Sequence, residues 1–108
     1  MARHLSRSGY RVLLRNHRTP LGEIDLVAER RGVLHFVEVK ARRLFGGTGP
    51  PEEALTNRKL ARVARAAEHV LQARGLAGQP YCLLGAAVDL DSDGLPVAIR
   101  LIPVEEIR

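Results

Sequence analysis

The sequence predicts one α/β domain spanning residues 1–108, a mixed β-sheet flanked by helices in the order αβββαββ. Three observations lead there. The chain has 108 residues, 45% hydrophobic and 27% charged, which suits a single globular domain and is too short for two of ordinary size. Three strand-like stretches joined by turn signals precede residue 42. The one long amphipathic stretch then lies between them and two further strands, so a helix can carry the chain back to a parallel strand.

Residues 2–8 suit a short helix that Gly9 ends. Tyr10 to Arg15 reads as a strand through Val12, Leu13 and Leu14, followed by a polar loop from Asn16 to Pro20. Leu21 to Glu29 alternates, with Ile24, Leu26 and Ala28 on one face and Glu23, Asp25 and Val27 on the other. Arg31-Gly32 supplies a tight turn, and Val33 to Val39 is an almost continuous apolar run, as in a strand covered on both faces. The segments Tyr10–Arg15, Leu21–Glu29 and Val33–Lys40 are therefore expected as consecutive antiparallel strands.

Residues 42–51, RRLFGGTGPP, form a Gly/Pro-rich loop, and Pro51 before Glu52 and Glu53 is a helix-start signal. The helix runs to about Arg74, where Gly75 stops it. Its apolar stripe is Leu60, Val63, Ala64, Ala67, Val70 and Leu71, with Arg58, Arg62, Arg65 and His69 opposite. Tyr81 to Asp89 reads as a buried strand, Asp91 to Gly94 as a hairpin turn, and Val97 to Ile102 as the last strand.

Charge narrows the function classes. Seventeen Lys and Arg against twelve Asp and Glu give a net +5. Residues 1–74 hold fifteen of the bases and seven of the acids, so the positive charge is concentrated there. A polyanion is the partner this distribution suits. Two Tyr, two Phe and no Trp oppose a single-strand binder built on base stacking. Cys82 stands alone, which excludes an intrachain disulfide and a Cys-based zinc site; it reads as a core thiol. No run of eighteen apolar residues and no apolar leader occurs, so no membrane partner and a cytoplasmic location are expected.

The chemistry concentrates in G-E-I-D-L-V-A and F-V-E-V-K. Glu38 and Lys40 are two apart on one strand and project from one face. Such charges on an apolar strand are costly unless something binds them. Counting outward from the Arg31-Gly32 turn sets Asp25 opposite a residue near position 38, so the two carboxylates can meet. A hard divalent cation, Mg2+ or Mn2+, would neutralise the pair while taking further oxygens from a phosphate, so Asp25 and Glu38 are the expected metal ligands. Lys40 would orient or deprotonate a water, or steady the phosphate. The competing reading is a buried ion cluster of Asp25, Glu38 and Lys40 without turnover.

Asp followed by Glu-x-Lys on consecutive strands resembles the PD-(D/E)XK nuclease superfamily. The fuller string, GYRVLLRNHR (9–18), GEIDLVA (22–28), LHFVEVKARR (34–43) and the segment around Lys59, resembles the YraN-like family of uncharacterised proteins. The resemblance covers the chain to about residue 75. It implies a restriction-endonuclease-like αβββαβ core, similar to Holliday-junction resolvases, with Asp25, Glu38 and Lys40 in the metal-site positions. Nucleases of this type commonly add a carboxylate from the first helix, whereas no acid precedes Glu23 here. Three readings follow: a truncated start, Glu23 substituting from the Asp25 face, or an incomplete metal site in a protein that only binds.

Arg58, Arg62 and Arg65, at i, i+4 and i+7, make a basic helix stripe able to contact phosphates. Arg15, Arg18, Arg42 and Arg43 are further candidate phosphate contacts, and the resemblance points Lys59 toward the acid site. Nucleic acid, DNA before RNA, is the expected partner, with a homodimer as an option. The function expected is a Mg2+-dependent DNA endonuclease, with a non-catalytic nucleic-acid-binding or adaptor module as the alternative. Asp89 to Gly94 matches the first half of a calcium loop, but position twelve is Arg100 where a Glu is required, so a hairpin turn is expected. Gly46 to Gly49 lacks the Gly-Lys-Ser/Thr of a P-loop.

Overall fold

The computed structural model describes residues 1–43 and 57–103. The elements are α1 (Ala2–Arg7), β1 (Arg11–Thr19), β2 (Gly22–Arg30), β3 (Val33–Arg43), α2 (Asn57–Ala73), β4 (Tyr81–Leu90) and β5 (Pro96–Pro103). The strands make one sheet in the order β1-β2-β3-β4-β5, parallel between β3 and β4 and antiparallel elsewhere. The expected α/β class, with a mixed sheet flanked by helices, is the one observed. The Gly/Pro-rich stretch from residue 44, Gly46 to Gly49 within it, and the Pro51–Glu53 helix start lie outside the described residues.

Turn chemistry sets the antiparallel registers. Arg31 (φ 52°) and Gly32 (φ 78°) both occupy left-handed backbone, as a two-residue hairpin turn twisted like its strands requires. Arg30 is thereby placed opposite Val33 and Leu26 opposite Val37. At the β1–β2 turn the Thr19 hydroxyl donates to the Gly22 carbonyl at 2.7 Å and accepts the Leu21 N–H at 3.1 Å. In the β4–β5 turn the Asp91 carboxylate accepts the N–H groups of Asp93 and Leu95, each at 2.9 Å. Asp91 to Gly94 of the calcium-like string is thus a turn whose first carboxylate is engaged by its own backbone, while Asp89 and Leu90 close β4.

The sheet is covered on both faces. Beneath α2, Ile24, Val27, Leu34 and Phe36 pack with Val63, Ala66, Ala67, Val70 and Leu71. On the other face Leu5 of α1, fully buried, packs with Leu26, Ala28, Val37, Leu84 and Ala86. A hydrogen bond from the Tyr81 hydroxyl to Glu68 also ties β4 to α2. Gly75 (φ 69°) follows the helix end. Cys82 is half-buried rather than a fully buried core thiol.

Several boundaries differ from the expectation. The loop expected at Asn16–Pro20 is strand as far as Thr19, because the ladder continues through His17 opposite Ile24 and Arg18 opposite Glu23. Residues 42 and 43 belong to β3, held by the parallel ladder that reaches Arg43 opposite Leu90. In the helix stripe Ala66 is buried and Ala64 only half-buried, while His69 is half-buried rather than fully outward. The faces of β2 also differ. Ile24 joins the core under α2, whereas Leu26 and Ala28 join the core under α1. A Cβ on Gly22 would meet the Arg62 side chain at 3.5 Å, so position 22 shares the face of Ile24. Strict alternation therefore fails between Ile24 and Leu26, at Asp25.

Phe36 is fully buried at the centre of the α2-side core. Phe36→Ala is expected to cost about 3–5 kcal/mol. Leu13, 43% exposed where β1 bulges, should tolerate Leu13→Ala within about 0.5 kcal/mol. Urea denaturation of the two variants checks both values.

Candidate active site

The site begins where β2 leaves β3. The β2–β3 ladder ends at Leu26 opposite Val37. Two residues further along β3 the Val39 N–H donates to Asp25 Oδ2 at 2.7 Å. A carboxylate thus takes the place that a strand carbonyl would hold. The break in alternation makes this possible, because it turns Asp25 sideways toward β3 rather than up or down from the sheet.

Glu38 is 4% exposed and lies on the α2 side of β3, two residues beyond Phe36. Burial is the largest influence holding its carboxyl above the ordinary carboxylate range, and the neighbouring Asp25 charge pushes the same way. Lys40 and Arg62 oppose both. Lys40 Nζ stands 3.6 Å from Glu38 Oε1. In the parallel ladder Glu38 faces Gly85 and Lys40 faces Ala87, both small residues. The structure brings Asp25, Glu38 and Lys40 together.

It does not bring Glu23 to them. Glu23 is exposed and its carboxylate lies 3.7 Å from Arg18 Nε. Among the described residues no three His, Cys, Asp or Glu side chains gather as a metal-holding group. The bases divide as well. Arg15 is opposite Leu26, on the α1 side of the sheet, and Arg18 pairs with Glu23 at the β1–β2 end. Arg58, Arg62 and Arg65 are exposed on α2, and Lys59 beside them is half-buried. The side chains of Arg42 and Arg43 lie outside the described residues.

Two features escaped the sequence reading. Arg62 is more than a member of an outward stripe: its charge acts on Glu38 and its stem lies over Gly22. The missing side chain at Gly22 was the available signal. Asp89 is buried on the same face as Glu38 and accepts a 2.8 Å hydrogen bond from Arg100 Nη1. Counting by twos from Gly85 through Ala87 reaches it, but only once β3 and β4 are known to be parallel.

The raised Glu38 carboxyl has a consequence for stability. A folded-state pKa above the unfolded value contributes stability that is complete below the unfolded pKa and is lost as pH rises through the folded one. Glu38→Gln, which removes the ionisation, should therefore raise the thermal midpoint at pH 7. That gain should shrink toward zero as pH falls below the ordinary carboxylate range. Thermal melts from pH 3.5 to 8 measure it.

A family model described as "Uncharacterised protein family UPF0102" matches residues 1–90. A UPF0102 protein of Moorella thermoacetica is 41% identical over 100 residues, 91% of this chain and 81% of the relative. One of Lachnoclostridium phytofermentans is 42% identical over 101 residues, 94% and 80% of the two chains. One of Symbiobacterium thermophilum is 48% identical over 93 residues, 86% and 78%. With β1 to β4, Asp25, Glu38 and Lys40 all inside the matched span, this chain belongs to the uncharacterised protein family UPF0102.

Proposed function

We propose that the protein binds nucleic acid, with DNA as the preferred partner, and hydrolyses its phosphodiester bonds at Asp25, Glu38 and Lys40 with Mg2+. The observation that carries the reading is the convergence of two carboxylates, one of them buried, beside a lysine and an arginine. A stability role explains it poorly, since burying Glu38 next to Asp25 disfavours its ionised form.

The donor set fits a hard cation. Asp25 uses Oδ2 for Val39 and Glu38 faces Lys40 through Oε1, so each carboxylate has a second oxygen to offer. Two carboxylates without a third His, Cys, Asp or Glu among the described residues suit Mg2+, which takes one or two protein oxygens and completes its shell with water and phosphate. Bound there, the ion would supply Lewis-acid polarisation of a phosphoryl oxygen and a more acidic water. The chain's own groups do the rest. The Val39 N–H fixes the orientation of Asp25. Lys40 places a compact positive charge where negative charge builds on the phosphate. Arg58 and Arg62 on α2 draw the backbone toward the site.

One observation favours the second reading, a non-catalytic nucleic-acid-binding module of the same fold. Glu23, the residue expected to complete the acids, is engaged by Arg18. The two readings diverge in Mg2+. Wild type should nick duplex or branched DNA, and Asp25→Asn/Glu38→Gln should abolish nicking while still binding. A binder shows no nicking by either protein.

In EDTA the same double variant should bind DNA as well as wild type or better, because two anions near the phosphates are gone. Each phosphate-contacting Arg removed, Arg58→Ala or Arg62→Ala, should lower the slope of log K against log salt by about 0.9 on duplex DNA. Fluorescence anisotropy across a salt series reads both. Calorimetry with Mn2+ should show tighter binding when DNA is present. Equal weak binding by Asp25→Ala/Glu38→Ala would remove the metal from the proposal.

A further inference from the structure

Asn16 sits in the middle of β1, yet its φ is 48°, in the left-handed region. It lies on the rung of Asp25, because Arg15 is opposite Leu26 and His17 is opposite Ile24. On that rung both strands change face. Leu14, opposite Val27, packs against the core under α2. Arg15, opposite Leu26, falls on the α1 side, and His17, opposite Ile24, is back on the α2 side. Side chains two apart in a strand share a face, so neither β1 nor β2 keeps its pleat across this rung.

The two breaks depend on each other. The same antiparallel register runs on both sides of the rung, from Leu14 opposite Val27 to Thr19 opposite Gly22. A regular β1 could keep that register only if β2 were regular too. In a regular β2, Asp25 would share the face of Val27 and point away from the sheet, no longer sideways at the Val39 N–H. Asn is among the few residues with a side chain that adopt left-handed backbone at low cost, and a β-branched residue there is a genuine outlier.

We infer that Asn16 is the positioning residue of the acid site: its left-handed backbone holds the paired kink that turns the Asp25 carboxylate sideways onto the Val39 N–H of β3. The Asn16 side chain makes no hydrogen bond or ion pair with Asp25 or Glu38. Its role rests on the reading of Asp25 as a site residue, and it acts from the outer strand of the sheet, through the backbone of β2.

Amide hydrogen exchange on the metal-free full chain tests this. Val39 reports the Asp25 hydrogen bond, and Val37, within the ladder opposite Leu26, reports general opening of the same strand. Asn16→Val should speed Val39 exchange about tenfold relative to Val37, the scale set by the cost of left-handed backbone. Asn16→Gly, free to keep that backbone, should leave the ratio within about twofold of wild type. General destabilisation speeds both amides and leaves their ratio unchanged. Should Asn16→Val fail to fold, Asn16→Ala is read in its place, with a smaller rise of the same sign expected. An unchanged ratio in the folded Val or Ala variant overturns the inference, as does a Gly variant disturbed as much as either. Mn2+ affinity should fall in the same order, Asn16→Val well below Asn16→Gly. Since the exchange ratio needs neither metal nor DNA, a wild type that neither binds Mn2+ nor cuts DNA overturns the hydrolase reading and leaves this one to the ratio.

Discussion

The hydrogen bond from the Val39 N–H to Asp25 Oδ2 is the contact around which the molecule is arranged. β3 has β4 along its length from Leu34 to Arg43, but β2 pairs with it only as far as Val37. Past that point its β2-facing amide needs an acceptor, since an unpaired backbone donor inside a protein is expensive. Asp25 supplies one, and the bond that finishes a ladder also fixes a carboxylate beside Glu38.

The surrounding electrostatics are balanced by groups from different elements. Burial and Asp25 disfavour the Glu38 charge, while Lys40 from the same strand and Arg62 from α2 favour it. Arg62 reaches the site across Gly22, so one absent side chain on β2 couples the helix to the acids. Asp89 and Arg100 extend the row of charges over β4 and β5 on the same face of the sheet. One sheet surface therefore carries an apolar half under α2 and a charged half beyond Phe36.

Much of this was legible in the residues. The Arg31-Gly32 turn, the apolar run after it and the two-residue spacing of Glu38 and Lys40 are local signals, and arithmetic from the turn set Asp25 beside Glu38. The face of Ile24 was not legible, because alternation assumes an unbroken pleat and nothing in G-E-I-D marks a break. Its cause lies on another strand, at Asn16, whose polar neighbours read as a loop. Arg62 and Asp89 depended in the same way on tertiary pairing. The parallel register of β3 with β4 follows from the crossover through α2 and leaves no local mark.

The antiparallel β2–β3 hairpin and the parallel β3–β4 ladder also differ in when they can form. The hairpin closes over a two-residue turn, and local closure is entropically cheap and fast. β4 has to return past the whole of α2 before Leu34 can meet Tyr81. Asp25 and Glu38 are thus neighbours within an early, solvated hairpin, where water screens their repulsion. The cost of enclosing Glu38 arrives with β4 and α2. The charge pair opposes the late, long-range step of assembly rather than the early local one, and a cation or protons present at that moment would ease the closing of the sheet.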